Sequence, residues 1–107
     1  MSRIESLEAM LARSQDSPLL RFSLGNEYLG QADPVTAAEH LRAAVTQDPA
    51  YSAAWKALGR ALEQADDPVG AADAWRAGIE AAESGGDKQA AKEMQVFLRR
   101  LQKKANQ

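Results

Sequence analysis

The sequence predicts an all-α protein assembled from repeated helical hairpins. Three observations carry that reading. Alanine, the strongest helix former, supplies 22 of the 107 residues. Strand formers are scarce: aromatics make up 6% of the chain, and no stretch alternates cleanly between apolar and polar. The chain also repeats itself at a fixed period. Residues 18–51 laid on 52–85, a shift of 34, give nine identities in three blocks without a gap: Leu24/Leu58 and Gly25/Gly59, then Asp33/Asp67, Pro34/Pro68, Val35/Val69, Ala37/Ala71 and Ala38/Ala72, then Arg42/Arg76 and Ala43/Ala77.

Six helices follow in order. Ser2 with Glu5 forms a capping box, and Ile4, Leu7, Met10 and Leu11 follow at helical spacing, giving a leading helix within 1–16. Ser17 caps the next helix and Pro18 takes its first position, where the missing N–H costs nothing. Leu20, Leu24 and Tyr28 recur every four residues along it, and Gly30 to Asp33 breaks it. Asp33-Pro34 starts a third helix by the same device. Ala37, Ala38, Leu41, Ala44 and Val45 form its apolar stripe, and Asp48-Pro49 ends it, because the residue before proline is pushed away from helix. The second unit repeats the plan. Ser52 is expected as cap, with Trp55, Leu58 and Leu62 as stripe. Asp67-Pro68 restarts the chain, and Ala71, Ala72, Trp75, Ile79 and Ala82 line the fifth helix. Gly85-Gly86 stops it. Asp87 caps a last helix with Ala90, Ala91, Met94, Phe97, Leu98 and Leu101 on its apolar side.

A 34-residue helix–turn–helix carrying W-x2-L-G-x2-Y, A-x3-F and a closing proline is the tetratricopeptide pattern. The second unit has Trp55-x2-Leu58-Gly59, Leu62 in the tyrosine position, and Ala71-x3-Trp75. The first has Leu24-Gly25-x2-Tyr28, Ala37-x3-Leu41 and Pro49. Arg21 stands where the first tryptophan belongs and Glu83 where the second proline belongs. The chain therefore resembles the tetratricopeptide repeat family over 18–85. The resemblance implies a right-handed α–α superhelix in one domain, 1–107: a leading helix in 1–16, repeats at 18–51 and 52–85, and a capping helix over 86–105.

Gly25 and Gly59 fall mid-helix, where glycine costs about 1 kcal/mol against alanine. Close approach of the partner helix, with Ala37 and Ala71 at the same crossing, is the expected compensation. Gly59→Leu is then expected to overpack by about 1–3 kcal/mol. Tyr28, Leu41, Trp55 and Trp75 are expected to fill the spaces between hairpins.

Composition limits function. With no cysteine there is no disulfide, thiolate zinc site or cysteine nucleophile. One histidine, His40, has no second ligand beside it and reads as a surface residue. Ser14, Ser17 and Ser52 read as caps or turn residues, and Asp66-Asp67 lacks the oxygens a calcium loop needs. There is no glycine-rich phosphate loop. No apolar run approaches the roughly 18 residues of a spanning helix, and the N-terminus lacks a secretory signal's apolar segment, so the expected compartment is the cytoplasm. Catalysis, cofactors, metals, small-molecule substrates and membranes are not expected. Charge is uneven: residues 1–87 hold 7 basic and 14 acidic residues, whereas 88–107 hold 6 basic residues and Glu93 alone. The basic end matches the dipole of a final helix; it also suits an acidic partner, nucleic acid being the weaker case given the acidic body.

In proteins resembling this one, the first helices of the hairpins line a concave groove that holds a peptide or a partner's helix. Carried over, the groove positions are Leu19, Phe22, Asn26, Leu29 and Gly30 from the first unit, and Ala53, Lys56, Arg60, Glu63 and Gln64 from the second. If the last helix keeps the 34-residue register, Ala90, Met94 and Phe97 complete the surface. Lys56 and Arg60, four residues apart, share a helical face and suit a carboxylate or acidic peptide. The family's clamp for chaperone tails does not carry over: Asn26 is kept, but Phe22, Ala57, Asp87 and Ala91 occupy its other positions. The expected function is a non-catalytic protein-interaction module. A homodimer through the terminal helix is the alternative.

Overall fold

The computed structural model describes residues 2–106; Met1 and Gln107, included in the expected domain, lie outside the described residues. Six helices account for the architecture: α1 (Arg3–Ala12), α2 (Pro18–Gly30), α3 (Pro34–Gln47), α4 (Ser52–Gln64), α5 (Pro68–Ser84) and α6 (Lys88–Ala105). The helix expected within 1–16 ends at Ala12. Its apolar pattern runs out there, and Ser14 turns the chain with φ 62°.

Start signals work as the sequence implies at five of six helices. Side-chain oxygens of Ser2, Ser17, Asp33, Asp67 and Asp87 accept the N–H groups of Glu5, Leu20, Thr36, Gly70 and Ala90 at 2.9–3.2 Å. The exception is α4. Tyr51, not Ser52, occupies its cap position and gives no side-chain cap. Ser52 is already helical, and its hydroxyl donates to Asp87 Oδ2 at 3.3 Å. The Tyr51 ring packs on Phe22, centroids 5.0 Å apart, which fixes the entry to α4 through contact rather than capping.

Stop signals fall into two kinds. After α2, α4 and α5 a single left-handed residue (Ala32, Asp66, Gly86) lets the next N–H reach back to the helix, as Asp33 to Tyr28 O at 2.9 Å and Asp67 to Leu62 O at 2.8 Å. The end of α3 is set instead by Asp48-Pro49. At α5 the corresponding residue is Glu83, no proline intervenes, and the helix runs 17 residues against 14 for α3.

Within each hairpin the mid-helix glycine is the contact point. A Cβ on Gly25 would stand 2.6 Å from Leu41 Cδ2, and one on Gly59 2.5 Å from Trp75 Cδ1. Leu41 and Trp75 are fully buried, as are Ala37 and Ala71. These two large side chains thus cross inside their own hairpins rather than between hairpins. Trp75 also reaches outward: its indole N–H donates to Lys56 O at 3.2 Å and its ring lies 5.4 Å from that of Phe97 on α6. Tyr28 and Trp55 do bridge between units. Tyr28 donates to Glu8 of α1 and stacks on His40 of α3. Trp55 donates to Pro49 O at 2.8 Å, and its Cβ lies against Gly78 of α5.

The outer helices complete the periodicity. Moved by 34, α1 falls on α3, with Glu5/Glu39, Leu7/Leu41 and Ala9/Ala43 identical. It packs on α2, so it acts as the second helix of a hairpin whose first helix is absent from the described residues. Helix α6 acts as a first helix, but two residues late: Leu20, Ala54 and Ala90 are equivalent buried positions, as are Leu24, Leu58 and Met94. Unproped by proline, α5 extends a turn further, and Gly85-Gly86 adds the offset.

Candidate functional site

The helix contacts give the stack an inner face. Helices α2 and α4 touch, and so do α4 and α6, whereas α1, α3 and α5 do not touch one another. The stack therefore bends with α2, α4 and α6 on its inner side. On α2, Leu19 is 65% exposed, Asn26 and Gly30 are exposed, and Phe22 and Leu29 are half-buried against the core. On α4, Arg60 and Gln64 are exposed, while Ala53, Lys56 and Glu63 are half-buried. These residues lie on α2 and α4, which touch along the inner side of the stack.

The third helix differs from expectation. Met94 is fully buried and Ala90 is 6% exposed, both within the core, so neither offers a surface to a partner. Gly78 of α5 leaves the room that Met94 fills. Phe97 is half-buried against Trp75, and the Arg100 guanidinium stands 5.4 Å over its ring. The two-residue offset places other side chains in the inner rows. Phe22 and Lys56 continue into Lys92, Asn26 and Arg60 into Val96, Leu29 and Glu63 into Arg99. Lys92 and Arg99 are exposed, and Val96 is 50% exposed. The signal was present in the sequence: matching Leu24 and Leu58 to Met94, rather than keeping the 34-residue count, gives this register.

Electrostatics on this face favour the positive sign. Lys56 Nζ pairs with Glu93 Oε1 at 3.2 Å, both side chains partly exposed. Arg60, Lys92 and Arg99 make no ion pair among the described residues. Glu63 is the other carboxylate among the inner positions.

A second polar cluster lies between α2 and α3, where Arg21 replaces the tryptophan. Its guanidinium donates twice to Asp16, at 2.9 and 3.0 Å, and once to His40 Nδ1 at 3.1 Å; Gln47 donates to Asp16 at 3.0 Å. Those bonds, Arg21 first, lower the Asp16 pKa to about 2. His40 is not simply a surface residue. Burial lowers its pKa, as does the Arg21 charge, against the opposing pull of Glu8, Glu39 and Asp16. A ring nitrogen that accepts from a guanidinium must be unprotonated, so the ring is neutral with its proton on Nε2. Arg21 and Gln47 both bind Asp16, and Arg21 ties His40 of α3 to the same carboxylate, which makes the cluster a structural strut. Among the described residues no three His, Asp or Glu side chains converge as metal ligands, and no helix is long and apolar enough to cross a membrane.

Known proteins share this arrangement. A TPR repeat-containing protein of Pseudomonas aeruginosa is 56% identical over 98 residues, covering 92% of this chain and 93% of that one. The solution structure of a Bordetella parapertussis protein is 50% identical with TM-score 0.83, covering 97% of this chain and 90% of that chain. The crystal structure of the Sgt2 TPR domain from Aspergillus fumigatus is 31% identical with TM-score 0.82, covering 96% of this chain and 68% of that chain. No family model matches the sequence.

Proposed function

The chain belongs to the tetratricopeptide repeat family, and we propose that its inner face captures a peptide or helix of a partner protein by contact alone, with the whole chain acting as one domain. Members of this family are generally protein-interaction modules, which supports the class. The observation that carries the reading for this chain is the row of solvent-facing side chains on α2, α4 and α6. Leu19 is 65% exposed on a helix whose other large apolar residues are packed, and Asn26, Arg60 and Val96 stand in line beside it. A lone exposed leucine is ordinary. One on the inner face, whose α4 and α6 carry Arg60, Lys92 and Arg99 without ion pairs among the described residues, suits an occupant.

Self-association through α6 is the less favoured reading. The helix face turned away from α5 carries Gln95 where Gly25 and Gly59 admit a partner helix, with Lys88 and Gln102 exposed on the same helix. A second copy would have to bury those polar groups without the close approach that glycine provides.

The test is affinity capture from a lysate of the source cells on wild-type protein and on a Leu19→Asp/Arg60→Glu double variant shown to be folded by circular dichroism. Both positions are exposed, so the fold should survive. A partner held by wild type and lost by the variant is expected. A partner held equally by both would move the function off the inner face, and recovery of this protein alone would favour self-association.

A further inference from the structure

We infer that the inner face selects an acidic polypeptide segment, whose carboxylates meet Arg60, Lys92 and Arg99 while an apolar side chain rests on Leu19 and Phe22. This rests on the groove reading above and adds the chemistry of the ligand. The inner rows are uncharged on α2, charged on α4 and, in two rows of three, basic on α6: Phe22 to Lys56 to Lys92, Asn26 to Arg60 to Val96, Leu29 to Glu63 to Arg99. Four cations face two carboxylates, Glu63 and Glu93, and Glu93 is already engaged with Lys56. The remaining three cations make no ion pair among the described residues; Arg99 Nε donates only to the backbone of its own helix, at Gln95 O, 3.5 Å. The contrast with the rest of the molecule sharpens the point. Residues 1–87 carry twice as many acidic as basic residues, so the positive patch is local. That body repels an extended polyanion such as a nucleic acid, whereas a short acidic segment touches only the inner face. Charge-assisted hydrogen bonds from guanidinium and ammonium groups supply attraction and register, and the Leu19–Phe22 end supplies apolar burial. The three cations Arg60, Lys92 and Arg99 lie outside the clamp positions, and Lys92 and Arg99 face inward only because α6 sits two residues out of the repeat period.

The experiment selects a displayed library of random twelve-residue peptides on the full-length chain and maps the best synthetic peptide by chemical-shift changes on 15N-labelled protein. Selected peptides are expected to be enriched in Asp and Glu with at least one large apolar residue, and to shift Arg60, Lys92, Val96 and Arg99. An Arg60→Ser/Lys92→Ser variant should bind at least tenfold more weakly. Glu93→Gln, which releases Lys56, should bind several-fold more tightly. Neutral or basic peptides shifting the same residues would overturn the acidic ligand and leave the groove reading standing. Absence of any selected peptide, or shifts confined to α3 and α5, would overturn both. Displacement of the peptide by a dT12 oligonucleotide at equal concentration would overturn selectivity for polypeptide.

Discussion

In the second hairpin Trp55 lies with its Cβ against Gly78 of α5 and its indole N–H donates to the carbonyl of Pro49. In the first, 34 residues earlier, Arg21 holds the same place by ion and hydrogen bonds to Asp16 and His40. The substitution extends through the surroundings. Asp16, His40 and Gln47 of the first cluster correspond to Ala50, Ala74 and Ala81 in the second unit. The glycine contacts differ in the same direction, with a branched leucine under Gly25 and an indole under Gly59. One repeat frame thus accepts either a polar strut or an apolar wedge, provided each set of partners changes together. Apolar packing keeps its strength across pH, whereas the strut depends on protonation. The hairpins should therefore fail differently.

The largest difference is expected at the buried crossing residues. Trp75→Ala should cost about 3–5 kcal/mol, a large part of the roughly 5–15 kcal/mol that holds a domain folded. Trp75 also touches Phe97, so α6 should lose hydrogen-exchange protection along with the hairpin. Leu41→Ala should cost about 2–5 kcal/mol and leave α6 protected. Urea denaturation with exchange measured helix by helix checks both. Equal losses, with α6 protected in each variant, would erase the distinction between the crossings.

The glycines sharpen it further. On an exposed helix, Gly→Ala gains about 1 kcal/mol from propensity. At Gly59 the new methyl meets a fully buried indole tied to Lys56 O, so a net loss of about 1–3 kcal/mol is expected. At Gly25 it meets the branched end of Leu41, which adjusts more readily, and the loss should be smaller. Thermal denaturation of the two variants orders them; stabilisation by Gly59→Ala would mean that the crossing is looser than the structure has it.

Much of this frame was legible in the sequence because its causes are local. Asp-Pro and Ser-Pro pairs set helix starts, Gly85-Gly86 and Asp48-Pro49 set stops, and the Gly25/Leu41 and Gly59/Trp75 pairs follow from the repeat. What escaped depends on context. Ser52 has a capping side chain, but Tyr51 is fixed by Phe22 and takes the cap position. The inner face of α6 escaped because a period of 34 was carried past the point where it holds. A missing proline at 83 lengthens α5, and two glycines later the phase has moved. Met94 and Ala90 are thereby buried, and Lys92, Val96 and Arg99 turn inward. The Asp16–Arg21–His40 strut escaped for another reason: residues far apart in sequence meet only after α2 and α3 have paired.

That strut gives the smallest expected effect and the one most specific to the first hairpin. His40 is held neutral below its ordinary pKa of 6.5 by burial and by Arg21. As pH falls through 6.5 the unfolded chain takes up a proton that the folded ring resists, so stability declines from there downward. Asp16 acts in a lower window. Its carboxylate stays ionised to about 2 rather than 3.8, so its contribution is complete above 3.8 and disappears as pH drops towards 2. Between pH 6.5 and 4, then, the strut loses stability through His40 alone. Amide exchange in α2 and α3, corrected for intrinsic rates, should quicken from pH 7 to pH 5 relative to α4 and α5. His40→Gln retains an acceptor for Arg21 without a titrating ring and should remove that difference. Equal acceleration in both hairpins, or its persistence in His40→Gln, would place the sensitivity elsewhere and leave the two hairpins alike in what holds them.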